Sequence, residues 1–490
     1  MTAIEPLTLI RGADVIDGSG APRFAADVTL RGEHIAGLHP PGTMEADRVI
    51  DAHGLVLSPG FIDTHSHDDL LVLQDVWPHP KLSQGVTTVV TGNCGISLAP
   101  SDPGGRLPAP LDILGTASDR FADFGHYLAA LDARRPVLNV APLIGHISLR
   151  VRHVAALDRT ATAEEIAAMR GDVERALAAG AFGLSTGVYY PPAAAASTEE
   201  LGGVCAALRD QQAVLAMHLR DEGDHVDVAL REALALSGAC GARLVVSHHK
   251  VVGERNHGRT RETLALIDEA SERQSVGLDC YPYEASSTML EPQKAARTSR
   301  VMITWSGAHP EQGGRWLCDI ARAWGLSTLE AAQRLSPGGA IYFGMDPSDV
   351  DRVLRHPLAM FGSDGLPHQA HPHPRLWGTF ARLLGHHARE RGLMSLEATV
   401  HKMTGLPARR FGLADRGLIA PGKAADLVLF DPLTVRDNAT YEHPTRSATG
   451  FEAVFVNGVQ VRRANGRGAG RFGKRLRPSR LAATQGAGQG

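Results

Sequence analysis

The stretch FIDTHSHDD, residues 61–69, opens the region that determines the fold. It follows a Ser-Pro-Gly turn and begins with two apolar residues, as a buried strand does. Side chains two residues apart on a strand point to the same side, so His65 and His67 would direct two imidazoles at one point. Imidazole is a common ligand of zinc and similar metals. The stretch therefore predicts a strand that ends in a pair of metal ligands.

The composition is that of a large globular protein. The chain has 490 residues, which suits a large barrel with an appended lobe. Its net charge of -3 offers no electrostatic case for nucleic acid as a partner. No apolar run approaches the length of a membrane span. The expected partner is therefore a small-molecule substrate, without nucleic acid or membrane, and the oligomeric state stays open.

The cysteines point to a reducing compartment. Five of them are scattered without the spacing of a disulfide framework, and their number is odd. The first residues lack the basic and apolar segments of a secretory signal peptide. The sequence therefore predicts a cytoplasmic protein.

From Phe61 onward, apolar β-rich runs alternate with Ala- and Leu-rich helical stretches. This alternation indicates an α/β fold with a parallel sheet, and eight such units closed on themselves make a (β/α)₈ TIM-like barrel. A doubly wound open sheet is the competing architecture, because periodicity alone does not exclude it. The candidate strands are Phe61–His65, Thr87–Thr91, Val137–Ala141, Phe182–Thr186, Val214–His218, Arg243–His248, Val276–Tyr281 and Ala359–Asp364.

Short predicted strands at both ends of the chain favour a small β-sandwich beside the barrel. Residues 1–58 and 415–465 would form this sandwich together, around a hydrolase barrel at residues 59–414. Asn457-Gly458 between apolar residues is typical of a hairpin turn in its C-terminal part.

Two segments depart from the regular pattern. Residues from about 285 to 345 interrupt the alternation and predict a subdomain inserted before the eighth strand, either a lid or a packing excursion. Residues 466–490 are rich in Gly, Arg and Ala, and we expect them to form a mobile tail.

Metal-binding side chains recur at the predicted carboxyl ends of the strands, where barrel enzymes carry their catalytic groups. Gly92 and Gly95 flank Cys94, so the backbone can bring this thiol close to a shared centre. A single buried cysteine or histidine is more often structural, but their joint occurrence at corresponding ends predicts a metal centre. The candidate ligands are His65, His67, Cys94, His218, His248 and Asp364.

Zinc is the expected ion, because Zn²⁺ accepts imidazole, thiolate and carboxylate together. Six ligands exceed one tetrahedral shell and divide into one position formed by Cys94, His218 and His248 and a second formed by His65, His67 and Asp364. Which position is filled stays open, and Cys94 can bridge both. A metal polarises a carbonyl oxygen and acidifies bound water, while Asp364 can take up the proton and return it to a leaving amine. This chemistry favours hydrolysis of an amide or related C–N bond.

Five motifs carry a family resemblance: GFIDTHSHDD at 60–69, GNCG at 92–95, MHLRDEG at 217–223, SHHK at 247–250 and SDGLPH at 363–368. They resemble the amidohydrolase superfamily and, within it, the D-aminoacylase branch of N-acyl-D-amino-acid deacylases. The resemblance covers nearly the whole chain except the tail. Its most specific part is the cysteine of GNCG, because many superfamily members use a carbamylated lysine as the bridging ligand instead.

The resemblance implies hydrolysis of N-acyl-D-amino acids to a carboxylate and a free D-amino acid. It also implies one tightly bound Zn²⁺ held by the cysteine and the two later histidines, a weaker second position, and Asp364 as general acid/base. The preference for the D enantiomer rests on the resemblance alone. The resemblance implies substrate contacts at Lys250 and Tyr281, and Ser287 and Arg375 are further candidate contacts.

Alternatives remain at the level of sequence. The first alternative is another amidohydrolase reaction, such as cyclic-amide or dipeptide hydrolysis. The second is a non-catalytic barrel that serves as a binding or scaffold protein. Asp364 argues against the second, since a scaffold needs no general base beside a metal. The choice between neutral and acidic substrates is also open: Arg297, Arg300 and Arg375 would favour acidic ones if they point inward.

Overall fold

Eight parallel strands form a closed barrel in the computed structural model, which describes residues 5–102, 107–463 and 470–479. Each strand pairs with the next in sequence order. Thr64 N donates to Phe361 O at 3.3 Å, and Ser66 forms a parallel bridge with Gly365, so the first strand meets the eighth. This closure confirms the predicted (β/α)₈ barrel and excludes the open sheet. The strands are Phe61–Asp63, Val86–Thr91, Asn139–Pro142 with Ile144–Gly145, Gly183–Gly187, Val214–His218, Arg243–Val246, Val276–Cys280 and Ala359–Phe361.

Helices follow most of the barrel strands along the chain. The helix Ala163–Ala179 shows how local sequence sets the bounds: Thr162 and Glu165 form a reciprocal capping box at its start, and Gly180 ends it with a φ of 113°. The other barrel helices are Phe124–Arg134, His146–His153, Pro191–Ala194, Thr198–Cys205, Val226–Cys240, Thr260–Ser271, Pro347–Arg355, Arg375–Arg382 (continued by a wider π-type segment, Leu383–Glu390), Leu396–Met403 and Gly405–Phe411.

The two ends of the chain meet in one mixed sheet beside the barrel. Leu427–Phe430 pairs antiparallel with Val56–Pro59, which joins C-terminal to N-terminal strands. Asn457 and Gly458 have φ values of 47° and 79°, as a two-residue hairpin turn with two left-handed residues requires. The strands of this sheet are Leu7–Val15, Phe24–Arg31, His34–His39, Arg48–Asp51, Val56–Pro59, Leu427–Phe430, Phe451–Val456 and Val459–Arg463.

The segment between the seventh and eighth barrel strands forms a small layer with its own core. Its three antiparallel strands pair in the order Ala285–Met289, Gly338–Phe343, Arg300–Ser306. The helices Pro292–Arg297, Leu317–Trp324 and Thr328–Leu335 accompany this sheet. Leu317, Ile320 and Leu335 pack in a cluster that belongs to this segment alone.

Residues 470–479 depart from the predicted mobile tail. Val140 N donates to Lys474 O at 2.9 Å, and Leu476 N donates to Val140 O at 2.8 Å. On the side of the third strand, the fourth barrel strand pairs with Ile144–Gly145, so the edge of Asn139–Pro142 is open to this segment. Unpaired backbone groups there explain the packing, which composition alone did not reveal. The rest of the predicted tail lies outside the described residues.

Within the part of the chain that the structure describes, every helix is too short or too polar to cross a membrane.

Candidate metal centre

Five barrel strands bring the six predicted ligands together at their carboxyl ends. All six side chains are buried. They come from the ends of the first, second, fifth, sixth and eighth strands. Their donor atoms form two groups, within each of which all atoms lie within 4.8 Å of one another: His65, His67, Cys94 and Asp364, and Cys94, His218 and His248.

Cys94 is common to both groups. Its Sγ lies 3.2 Å from His65 Nε2 and 3.4 Å from His248 Nε2. His248 Nε2 in turn lies 2.9 Å from His218 Nδ1. A single thiol therefore stands between the two predicted metal positions, as a bridging ligand must.

Three of the ligands occupy an unusual backbone conformation. Cys94, His248 and Asp364 have φ values of 54°, 35° and 48°, in the left-handed region that side chains rarely adopt. Such residues cost free energy and cluster where function requires a particular side-chain placement. Gly92 permits a close backbone approach that another residue would block, because a Cβ there would lie 2.0 Å from Leu143 O. The glycine lets the turn that carries Cys94 approach the third strand.

Burial sets the charge states of the donors. It lowers the pKa of His65 to about 3 and that of His218 well below its ordinary value, so both imidazoles are neutral ligands. Burial raises the pKa of the Cys94 thiol well above its usual range. Burial also opposes ionisation of Asp364, but Arg375 and the nearby histidines outweigh it and hold the pKa of Asp364 well below its usual range. Neutral imidazoles, a carboxylate and a thiol that a cation would ionise fit a zinc site.

Two further buried aspartates orient the ligands. Asp279 Oδ1 accepts from His248 N at 2.7 Å and lies 3.2 Å from His65 Nδ1. Asp63 Oδ1 accepts from the backbone N–H groups of His65 and Ser363, at 3.2 and 2.8 Å. Carboxylates behind metal-binding histidines fix ring orientation. Sequence reasoning missed both, although each is a charged residue within an apolar strand, which was the available signal.

A fully buried lysine, Lys81, binds one of these two aspartates. Lys81 Nζ donates to Asp63 Oδ2 at 2.7 Å and also contacts Ser363 Oγ. It lies 3.4 Å from Asp68 Oδ2. Lys81 therefore ties the first strand to the residue before Asp364 across the closure of the barrel.

The predicted substrate contacts lie on the same rim, and several carry unused donors. Arg375 Nη2 lies 2.9 Å from Asp364 Oδ2, and its guanidinium stands 4.6 Å from the centre of the Tyr281 ring. Arg375 also donates to Ser287 O at 3.2 Å. Arg375 Nη1, the Tyr281 hydroxyl and Ser287 Oγ are buried without a hydrogen-bond partner among the described residues. Buried donors without partners indicate a place for an anionic or polar ligand.

Lys250 is held by a carboxylate beside the metal centre. Its Nζ lies 2.6 Å from Glu222 Oε1 and 2.9 Å from His248 Nδ1. The sequence motif contained Glu222 but assigned it no role.

The inserted segment contributes a different cation from those considered in the sequence. Arg297 and Arg300 are exposed, and Arg300 stacks against Trp316 at 4.8 Å. Lys294 Nζ instead lies 2.9 Å from the Tyr189 hydroxyl, and the Tyr189 ring stacks 5.3 Å from the His218 ring. The insert thus places Lys294 two side chains away from the metal centre, which sequence spacing could not show.

A cavity of about 90 Å³ opens over His67 and Asp364. Its walls are largely apolar and combine the loop before the third strand with the insert, including Ile113, Met289 and Trp305. His67 and Asp364 therefore lie at the wall of a cavity that a ligand could occupy.

The model of the amidohydrolase family matches residues 48–252 and 223–462. The chain belongs to the amidohydrolase family. This amidohydrolase is 51% identical over 457 residues to D-aminoacylase of Alcaligenes xylosoxydans xylosoxydans, covering 92% of this chain and 94% of the relative. It is 50% identical over 476 residues to N-acyl-D-aspartate deacylase of the same organism, covering 96% and 95%.

A solved structure agrees with the amidohydrolase fold and its metal chemistry. The crystal structure of N-acyl-D-glutamate deacylase from Bordetella bronchiseptica superposes with a TM-score of 0.93 at 47% identity, covering 97% of this chain and 99% of that chain. That protein is complexed with zinc and a phosphonate inhibitor that mimics the tetrahedral intermediate. These likenesses confirm the D-aminoacylase branch predicted from the motifs.

Proposed function

We propose that this amidohydrolase hydrolyses the amide bond of N-acyl-D-amino acids, releasing a carboxylate and a free D-amino acid. The observation that carries the proposal is the arrangement of Asp364, which contacts both the predicted metal ligands and the buried cation Arg375. The names of the three relatives above describe enzymes that act on N-acyl-D-amino acids, which supports the D configuration.

The predicted ligands form two metal positions. Cys94, His218 and His248 would hold the tightly bound zinc ion, while His65, His67 and Asp364 line the second position. When bound, zinc makes water a nucleophile near neutral pH and polarises the substrate carbonyl.

Asp364 acts as the general acid/base that transfers the proton. Its Oδ1 lies 3.2 Å from His67 Nε2, so the carboxylate is fixed beside the centre and ionised. In that state it takes the proton from the attacking water and delivers it to the leaving nitrogen, which departs as an amine.

The substrate's α-carboxylate would bind between Lys250, Tyr281, Ser287 and Arg375. Two cations and two buried hydroxyl groups match the charge and the lone pairs of a carboxylate. This contact holds the amide beside Asp364. The apolar cavity over His67 would then receive the acyl group.

We infer further that the substrate side chain is acidic, because Lys294 supplies a cation on the His218 side of the centre. Lys294 Nζ lies 4.8 Å from the centre of the Tyr342 ring and 4.0 Å from Glu291 Oε1. The latter distance is too long for a hydrogen bond, so the ammonium keeps donors for a carboxylate.

A cytoplasmic location fits the cysteine chemistry. All five cysteines are free thiols, four of them buried. This supports the compartment proposed from the sequence, since a reducing environment preserves them.

The proposal is tested by amine release from N-acetyl derivatives of D-aspartate, D-glutamate and D-methionine, and of their L enantiomers, with zinc or a chelator present. D-selective, chelator-sensitive release that is fastest with the acidic substrates is expected. Equal rates with D and L forms would contradict the stereochemical assignment. Activity on a cyclic amide such as dihydrouracil, without release from any N-acetyl-D-amino acid, would replace the proposal with cyclic-amide hydrolysis.

A further inference from the structure

Glu222 occupies a junction between the metal centre and the substrate contacts. It follows the fifth barrel strand by four residues, and its side chain is only 10% exposed. Oε1 lies 2.6 Å from Lys250 Nζ and 3.1 Å from His248 Nδ1. Oε2 lies 3.9 Å from His218 Nε2. One carboxylate therefore faces two metal ligands and one substrate-binding cation.

The two histidines present opposite ring nitrogens to Glu222. His248 directs Nε2 towards Cys94 Sγ and leaves Nδ1 for the carboxylate. His218 directs Nδ1 towards the centre and leaves Nε2. A carboxylate on the outer nitrogen of a ligating histidine fixes its tautomer and ring plane and makes it a stronger ligand. Glu222 is within hydrogen-bond distance of the outer nitrogen of His248, whereas its contact with His218 at 3.9 Å is too long for a hydrogen bond.

Lys250 shares the same oxygen. Its Nζ also lies 2.9 Å from His248 Nδ1, and Nδ1 cannot both accept from Lys250 and donate to Glu222. A substrate carboxylate that binds Lys250 would draw the ammonium away from His248. Glu222 Oε1 would then be free to accept from Nδ1–H of His248.

We propose that Glu222 is a positioning residue that orients His248 for the metal and couples the hydrogen bonding of His248 to occupancy of Lys250 by the substrate carboxylate. The metal-orienting role stands on the geometry alone, whereas the coupling rests on the proposed deacylase function. Zinc and a carboxylate-bearing ligand should therefore strengthen each other's binding, since coupling between two sites is reciprocal.

The first experiment measures zinc affinity by competition with a chromophoric chelator, without substrate. Glu222→Gln keeps the shape of the side chain and removes its charge, and we expect a zinc affinity lower by about 10- to 100-fold. Glu232→Gln is the matched control, because Glu232 is a half-buried carboxylate that pairs with Arg220 at 2.9 Å instead of with a predicted ligand. Unchanged zinc affinity in folded Glu222→Gln would overturn the orienting role.

The second experiment repeats the zinc titration with a free D-amino acid, D-glutamate, at saturating concentration. Tighter zinc binding is expected in the unmodified protein, and no change is expected in Lys250→Met or Glu222→Gln. An equal gain in all three proteins would contradict the coupling.

If Glu222→Gln fails to fold by circular dichroism, Glu222→Asp serves instead, because its carboxylate is one methylene short. Zinc affinity of Glu222→Asp equal to that of the unmodified protein would overturn the proposal. Because the first titration needs no substrate, failure of the deacylase proposal would leave its result standing.

Discussion

Arg375 and Asp364 form a buried ion pair in which Arg375 Nη2 lies 2.9 Å from Asp364 Oδ2. The other oxygen of Asp364 faces His67 Nε2 at 3.2 Å. The aspartate is thus held on one side by a cation and on the other by a predicted metal ligand. This arrangement keeps it ionised and fixed in place, which a general base requires.

Replacing Asp364 with asparagine should abolish most turnover while zinc stays bound. The amide preserves size but can no longer take up a proton, and general acid–base catalysis is worth about 10²- to 10⁴-fold. Steady-state rates together with metal analysis of the purified variant measure the two effects. Turnover equal to that of the unmodified protein would exclude Asp364 as the acid/base.

Replacing Cys94 with alanine should lower zinc content, because the variant removes the thiol that both donor groups share. Metal analysis after dialysis against a weak chelator provides the measurement. Cys205→Ala is the control: Cys205 is equally buried but belongs to neither group. Unchanged zinc stoichiometry in Cys94→Ala would remove Cys94 from the site.

Lys294→Met should lower kcat/KM for N-acetyl-D-glutamate and N-acetyl-D-aspartate by about 10- to 100-fold, the value of a hydrogen bond to a charged group. The rate with N-acetyl-D-methionine should change little, since that side chain carries no charge. Arg297→Met is the matched control, because Arg297 lies on the same helix but is exposed. Equal losses on acidic and neutral substrates would contradict a role for Lys294 in side-chain selection.

Lys81→Met should destabilise the protein by about 3–5 kcal/mol, because it leaves the buried carboxylate of Asp63 without its cation. Thermal unfolding followed by circular dichroism measures the change. Lys474→Met is the control: Lys474 forms an exposed pair with Glu33, and such pairs contribute about 1 kcal/mol or less. Similar melting temperatures for the two variants would show that the Lys81 network is not a stabilising link.

His79 should make the protein sensitive to acid. Burial lowers the pKa of His79 to about 3, whereas the unfolded chain takes up the proton near pH 6.5. Protonation of His79 in the unfolded chain therefore leaves the free energy of unfolding unchanged above pH 6.5 and lowers it as the pH falls towards 3. At pH 5 the loss amounts to roughly 2 kcal/mol.

The test compares unfolding free energies at pH 7 and pH 5. His79→Gln, which has no proton to gain, should lose less stability between these values than the unmodified protein. His443→Gln, at an exposed position, should behave like the unmodified protein. An identical pH dependence in all three would exclude His79 as a source of acid sensitivity.

The strand–helix alternation predicted the barrel, since the period of apolar residues is a local property of the chain. A local signal also located the turn at Asn457-Gly458. The ligands were predictable because each lies at a strand end, and strand ends of a parallel barrel share one rim. Composition did not reveal that residues 470–479 pair with the open edge of the third strand.

The sequence by itself determined which side chains could bind a metal and on which rim they would lie. Only the tertiary structure decided that Cys94 joins the two donor groups, that Arg375 pairs with Asp364, and that Lys294 reaches the neighbourhood of His218. Other contacts of the site join residues far apart in the chain, such as Lys81 and Ser363, which are 282 residues apart. Periodicity and turn preferences act over a few residues, whereas such contacts depend on how the barrel closes and how the inserted segment folds over it.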